Sequence, residues 1–143
     1  MSEMSLPRRI LICAAIAGAT GVLLGAFGAH GLGSFLEGRG YDPELIAKRS
    51  DQFDVAVRYH LIHAVALLGL AALPFAPTGP KHQVLRRWVS ILFLAGLVLF
   101  SGSLYLLVVT NTPKLGMVTP LGGIAWIVGW AMLIPMAIRN VDD

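Results

Sequence analysis

Five polar side chains that could carry chemistry flank long apolar runs of the chain: His30, Arg58, Tyr59, His60 and His63. His60 and His63 are three residues apart, so on a helix their side chains share one face. If the chain turns back after His30, the end of one apolar run lies beside the start of the next. The sequence therefore predicts that these five residues form a polar cluster at one membrane face, close to residues 30–57.

Several kinds of chemistry could use such a cluster. Neutral imidazoles could hydrogen-bond to helix ends, three imidazoles could bind zinc with water as fourth ligand, and two could ligate a haem iron between helices. Proton relay and ligand binding are further alternatives. No cysteine or nearby carboxylate supports a metal site, and no haem attachment motif is present. The favoured interpretation is a hydrogen-bonded cluster without a metal or other cofactor, with metal and haem as alternatives.

A second set of polar residues lies in the C-terminal half: Ser101, Ser103, Tyr105 and Thr119. Hydroxyl groups within a membrane span bond to neighbouring helices, typically for about 0.6 kcal/mol. We therefore expect this set to form hydrogen bonds inside the membrane. A catalytic serine would need a base and an orienting group within reach, and the histidines are expected at a different depth. Thr119 followed by Pro120 also predicts the N-cap of a helix.

The elements that must position these residues are four apolar runs without Asp, Glu, Lys or Arg. A membrane-spanning helix needs about 20 mostly apolar residues, and a backbone in lipid must satisfy its own hydrogen bonds. The runs predict spanning helices near residues 10–29, 58–76, 88–109 and 120–138. We expect a single all-α membrane domain over residues 1–143, folded as a compact bundle of four transmembrane helices.

The composition supports this class and argues against two others. Of 143 residues, 56% are hydrophobic and only 13% are charged, whereas soluble domains carry about 25% charged residues. The net charge is +3, but the basic residues are scattered between the apolar runs without a basic stripe. We therefore expect membrane lipids as partners and no nucleic acid.

The longest polar segment, residues 30–57, separates the first two predicted spans. Its first half is rich in glycine. The sequence Asp42-Pro43-Glu44 then places an N-cap residue, a proline in the first turn and an acid near the helix N-terminus. We expect a partly helical polar segment that continues into the second span.

The first span carries a seam of small residues at helical spacing: Ala14, Gly18, Gly21, Gly25 and Gly28. Small residues allow helix backbones to approach closely in lipid. The seam predicts that helix one is the central, most closely packed helix of the bundle. Alternatively, the seam joins two copies of the chain as a homodimer. Another membrane protein is the alternative partner of the chain.

Orientation depends on the lysine and arginine residues that flank the spans. The side that holds both termini carries six: Arg8, Arg9, Lys81, Arg86, Arg87 and Arg139. The other side carries five: Arg39, Lys48, Arg49, Arg58 and Lys114. The positive-inside rule then places both termini in the cytoplasm.

Four ordered motifs resemble one family. They are LGAFGAHGL at 24–32, VRYHLIHA at 57–64, FSGSLYLL at 100–107, and TPLGG at 119–123 followed by Gly129-Trp130. Together they are similar to the domain of unknown function 423 family of small bacterial membrane proteins, whose eukaryotic relatives are called transmembrane protein 256. The resemblance implies a small four-span membrane protein, without an established activity, cofactor or catalytic residue. We expect the protein in the bacterial inner membrane. The family commonly has Gln where this chain has His60, which weakens a site that needs all three histidines.

No recognised catalytic signature occurs in the sequence. We therefore expect a non-enzymatic accessory or assembly component, or a binder of a small ligand in the membrane. A transporter or proton-coupled carrier that uses the histidines is the alternative, and a metal- or haem-dependent membrane enzyme is the third. Against transport, the four apolar runs contain no Asp, Glu, Lys or Arg, and the chain has no obvious internal repeat.

Overall fold

A computed structural model describes residues 4–73 and 80–138, which form helices and turns without a strand. The helices, in chain order, are α1 (Leu6–His30), α2 (Leu32–Glu37), α3 (Pro43–Ala72), α4 (Pro80–Gly96), a π-helical segment (Leu97–Gly102), α5 (Ser103–Thr110), a 3₁₀ turn (Pro113–Met117), α6 (Thr119–Ala131) and α7 (Leu133–Ile138). Four stretches of helix are long and apolar enough to cross a membrane, as the four uncharged runs predicted.

The polar segment after α1 folds back as the short helix α2 and the first turns of α3. Asp42 is the N-cap of α3, and its Oδ1 accepts a hydrogen bond from the Leu45 amide at 2.8 Å. Pro43 occupies the first turn, where its missing N–H costs nothing. α3 then continues without a break through the polar segment and into the apolar run, so the predicted span at 58–76 forms the C-terminal part of a longer helix. The end of that predicted span, residues 74–76, lies outside the described residues.

α1 and α3 are antiparallel neighbours, and the glycines of the seam set their register. A Cβ atom at Gly21 would lie 2.6 Å from Leu61 Cδ2, and one at Gly28 would lie 3.0 Å from the Phe53 ring. A Cβ atom at Gly18 would meet nothing within 4 Å. The C-terminal half of the seam therefore packs against α3 of the same chain, while Gly18 faces open space.

The expectation that helix one is the central helix was wrong. Only 22% of its most apolar stretch is buried, against 39% for the span His82–Thr110. α1 packs mainly against α3 and leaves Ile16, Val22 and Leu23 exposed. The close contact that small residues permit is with one neighbour, which leaves the opposite face of α1 to the lipid.

Two apolar cores fill the bundle, one toward the chain termini and one toward the 30–57 segment. The terminal-side core consists of Ile10, Ala14, Leu67, Leu70, Val89, Phe93, Trp126 and Met136. The loop-side core consists of Leu32, Leu36, Phe53, Leu107 and Val108. Of the polar side chains that the sequence singled out, His60, His63, Ser101 and Ser103 are buried between the helices, whereas His30 and Arg58 are exposed.

Candidate functional site

His63 lies inside the bundle and uses both ring nitrogens in hydrogen bonds. Its Nδ1 is 2.9 Å from the carbonyl oxygen of Tyr59. A carbonyl oxygen only accepts, so Nδ1 carries the proton, and the unprotonated Nε2 accepts the Trp130 indole N–H at 3.1 Å. The ring is thus held as one tautomer of the neutral imidazole by α3 on one side and α6 on the other.

Aromatic rings enclose His63. The Trp126 ring stacks on the imidazole with centroids 3.7 Å apart and planes inclined by 5°, and Tyr59 stacks on Trp126 at 5.8 Å. The indole N–H of Trp126 donates to the Phe93 carbonyl oxygen at 3.0 Å. Gly96 leaves the space for this ring, because a Cβ atom there would collide with the indole. Trp126 is buried and Trp130 is half-exposed, and the indole N–H of each donates a hydrogen bond to a neighbouring helix.

His60 lies one turn earlier on α3 and bridges α5 and α1. Its Nδ1 is 3.2 Å from the Tyr105 hydroxyl, and its Nε2 is 3.4 Å from the Thr20 hydroxyl. Thr20 donates its own proton to the Ile16 carbonyl oxygen at 2.9 Å. Its oxygen can therefore accept from His60 Nε2–H, which leaves His60 Nδ1 to accept from Tyr105.

The hydroxyl groups of the C-terminal half also bond across helices. Ser101 Oγ donates to the Ala56 carbonyl oxygen of α3 at 2.9 Å, and the Ser103 and Thr119 hydroxyls lie 2.9 Å apart. The expected N-cap at Thr119 was wrong, because α6 begins at Thr119 itself after Val118, and no side chain caps it. The Thr119 hydroxyl is engaged by a neighbouring helix, while Pro120 in the first turn has no N–H to satisfy.

A π-helical segment, Leu97–Gly102, lies between α4 and α5 at the level of these hydrogen bonds. Such wider turns are rare and occur often at functional sites. α6 approaches the backbone here through Gly122, where a Cβ atom would lie 2.7 Å from Phe100 Cβ and 2.9 Å from the Leu99 carbonyl carbon. No periodic pattern in the sequence predicts this turn, although Gly122 of the TPLGG motif lies at the close approach.

The structure does not bring His30 to His60 and His63. In the antiparallel pair α1 and α3, Gly21 lies opposite Leu61 and Gly28 lies opposite Phe53. Two residues further along α1, this register places His30 near Asp51. Nine residues at 1.5 Å per residue separate that level from His60, which is roughly 14 Å. His30 and Arg58 are exposed, whereas His60 and His63 are buried. The five residues predicted to form one cluster thus occupy different depths and faces.

Two arginines that the sequence analysis did not predict as site residues, buried Arg49 and exposed Arg39, bind the end of α5 on the loop side. Arg49 is 5% exposed, and its guanidinium donates to Asn111 Oδ1 from Nε at 3.1 Å and also from Nη2. Arg39 Nη1 donates to the Val109 carbonyl oxygen at 2.9 Å. Both cations complement the negative C-terminal end of α5. Asn111 itself has a φ of 49°, a left-handed conformation that Asn tolerates and that ends the helix.

Among the residues that the structure describes, helix-to-helix hydrogen bonds occupy the polar side chains of the interior. No group of three or more metal-binding side chains converges among the residues that the structure describes. An open groove between α1 and α3 holds about 430 Å³, and apolar residues line it. This groove lies on the outer surface, away from His63 and its partners on α6.

A family model described as "Protein of unknown function (DUF423)" matches residues 24–123. The UPF0382 membrane protein YwdK of Bacillus subtilis is 41% identical over 129 residues, which cover 90% of this chain and 95% of the relative. The UPF0382 inner membrane protein YgdD of Escherichia coli is 36% identical over 132 residues, covering 92% and 91%. A UPF0382 membrane protein of Staphylococcus aureus is 38% identical over 110 residues, covering 77% and 79%. No solved structure matches the chain.

Proposed function

Because this chain belongs to the DUF423 family of membrane proteins, we propose that it is a non-enzymatic accessory or assembly component that acts by lateral binding within the membrane. The observation that supports this most directly is the Trp130–His63–Tyr59 hydrogen-bond chain, in which both imidazole nitrogens are occupied by protein groups. Side chains used in this way stabilise a bundle. The surface left for binding is the outer, lipid-facing one.

The same geometry argues for a structural role of both buried histidines. A metal or haem iron at His63 would have to displace the Trp130 N–H from Nε2 or the Tyr59 carbonyl from Nδ1. At His60 it would compete with Tyr105 or Thr20. Each displacement leaves a polar group without a partner in an apolar surrounding, which costs about 1–3 kcal/mol.

The geometry does not favour proton-coupled transport over lateral binding. The chain from Tyr105 through His60 to Thr20 runs sideways across the bundle, from α5 to the outer face of α1. The apolar cores lie above and below it. A proton path across the membrane would need polar groups along the membrane normal, through one of these cores.

For the location, we propose the bacterial inner membrane with both termini in the cytoplasm. The Escherichia coli relative is named an inner membrane protein. The six-to-five excess of basic residues on the terminal side supports this orientation. Arg8 and Arg9 are exposed in the first turn of α1, where they can contact the membrane surface.

The test is purification in mild detergent from cells that make the protein at its native level. Metal content, the absorption spectrum, and co-purifying proteins and lipids are then quantified. We expect a stoichiometric membrane partner, either a second copy or another protein, and an absorption spectrum of tryptophan and tyrosine alone. A stoichiometric metal or haem that is lost in His60→Ala or His63→Ala would contradict the proposal.

A further inference from the structure

The groove between α1 and α3 is open along one side of the bundle. Its α1 wall includes Ala15, Gly18 and Val22, and its α3 wall includes Leu61 and Val65. Because a Cβ atom at Gly18 would meet nothing within 4 Å, the groove beside Gly18 has room for a side chain from another molecule. In lipid, small residues on such a surface allow a second helix to come close.

A pair of opposite charges continues the same surface toward the loop side. Asp54 and Arg58 precede Leu61 and Val65 at spacings of four, three and four residues, so all four lie on one stripe of α3. The Asp54 carboxylate lies beside α1, since its Oδ1 would be 3.9 Å from a Cβ atom at Gly28. Both charged side chains are exposed, and neither has a hydrogen bond or ion pair in the described structure.

The depth of Arg58 makes this exposure costly. Gly25 packs on Val57, so Arg58 is level with Leu24, six residues or roughly 9 Å from the end of α1 at His30. α1 has 25 residues and is about 37 Å long, whereas the hydrocarbon core of a bilayer is about 30 Å thick. The backbone of Arg58 therefore lies within the edge of the hydrocarbon. A cation there must reach the interface or find an anion.

We propose that the protein forms a two-fold symmetric homodimer through this groove, in which Arg58 of each copy pairs with Asp54 of the other. A two-fold axis along the membrane normal places the two α3 helices side by side and parallel. Side chains on a helix tilt toward its N-terminus, so Arg58 reaches toward the level of Asp54 on the neighbouring copy. The same operation repeats the pair on the other side of the axis, as an isologous interface requires.

This inference deepens the proposed lateral binding by naming a second copy as the partner. The apolar part of the contact comes from Val65 and Leu68, which are 66% and 48% exposed at the groove. Their insertion into the groove of the other copy covers side chains that are otherwise left to lipid. The charged end then fixes the register of the two copies, since only one alignment along the axis pairs both charges.

Charge exchange between two tagged copies tests the pairing. A copy with Asp54→Arg presents two cations and a copy with Arg58→Asp presents two anions, so each alone should dimerise about tenfold more weakly than wild type or worse. Co-expressed, the two variants restore both opposite-charge pairs and should form a mixed dimer as stable as the wild-type dimer. The readout is subunit exchange and light scattering in mild detergent and in lipid nanodiscs.

Filling the groove tests the apolar half. Gly18→Leu should convert the dimer to a monomer with unchanged thermal stability, and Ala131→Leu, at an exposed site of α6, should leave the dimer intact. A wild-type protein that is monomeric in nanodiscs, or a mixed pair of charge variants that fails to dimerise, would overturn the inference. If a different membrane protein or a lipid then co-purified stoichiometrically, the proposed function would stand without the dimer.

Discussion

At the scale of single residues, hydrogen bonds decide what the polar side chains do. His63 is fixed by a carbonyl oxygen of its own helix and by the Trp130 indole of α6. His60 connects Tyr105 with Thr20. Such bonds are worth modest energies in membranes, because the unfolded state in lipid also finds partners. Their value lies in selecting one arrangement of helices among several with similar apolar contacts.

Trp130→Phe isolates one of these bonds. The substitution keeps most of the apolar ring and removes the N–H that donates to His63 Nε2. We expect a loss of about 0.6–1.7 kcal/mol in unfolding free energy, the range for bonds between membrane helices. Thermal and denaturant unfolding in detergent measure it. Trp88→Phe is the matched control, because Trp88 is 53% exposed and should tolerate the change; equal losses in both variants would show that the hydrogen bond does not matter.

At the scale of elements, α6 packs against the π-helical segment with the two backbones in close contact. Gly122 lies on the Phe100 backbone, and Gly129 lies on the Phe93 ring, where a Cβ atom would be 2.8 Å away. α6 therefore follows the outer surface of α4 and the π-helical turn without side chains at its closest points. The contact depends on shape complementarity between α6 and its neighbours, so a single added methyl group would disrupt the packing.

Gly122→Ala should destabilise the bundle by about 1–3 kcal/mol, the usual cost of overpacking. The added methyl group meets backbone atoms of Leu99 and Phe100, which cannot move aside as the end of a side chain can. The neighbouring Gly123→Ala is the control, since its Cβ atom would lie at an ordinary 3.9 Å from Phe100. Melting temperatures of both variants in the same detergent provide the comparison. A stable Gly122→Ala protein would mean that α6 does not contact the π-helical turn this closely.

Four helices and the start of α3 could be predicted because their signals are local. The length of an apolar run is enough to predict a membrane-spanning helix. The cap of α3 is equally local, because Asp42 accepts a hydrogen bond from the amide of Leu45, only three residues later. The polar cluster could not be predicted, because its membership depends on the register between α1 and α3. The prediction placed His30, at the end of α1, beside Arg58. In the structure α3 begins at Pro43, and the residue of α3 nearest the level of His30 is Asp51.

At the scale of the whole molecule, the bundle has two unequal ends. The loop-side end is built from α2 and the first turns of α3, and Arg39 and Arg49 hold the end of α5 there. The terminal-side end carries Arg86, whose Nη2 donates to the Leu73 carbonyl oxygen at 2.7 Å. Both ends thus use arginine to satisfy the carbonyl groups that helix termini leave open.

The orientation of these two ends can be measured directly. Reporter fusions at the C-terminus and at Gly40, in the turn before α3, should report opposite sides of the membrane. We expect cytoplasmic activity from the C-terminal fusion, in line with the distribution of basic residues. Periplasmic activity of the C-terminal fusion would reverse the orientation and leave the four-helix fold unchanged.

The separation of the two apolar cores has a consequence for how the protein opens. Cooperative units of local unfolding follow contiguous packing, and here Phe53 and Leu107 belong to one core while Phe93 and Leu67 belong to the other. Amide hydrogen exchange should therefore separate into two groups of rates, with α2 and the start of α3 exchanging as one group. The loop-side half could open while the terminal-side half stays closed, so the molecule would behave as two folding units built on the same four helices.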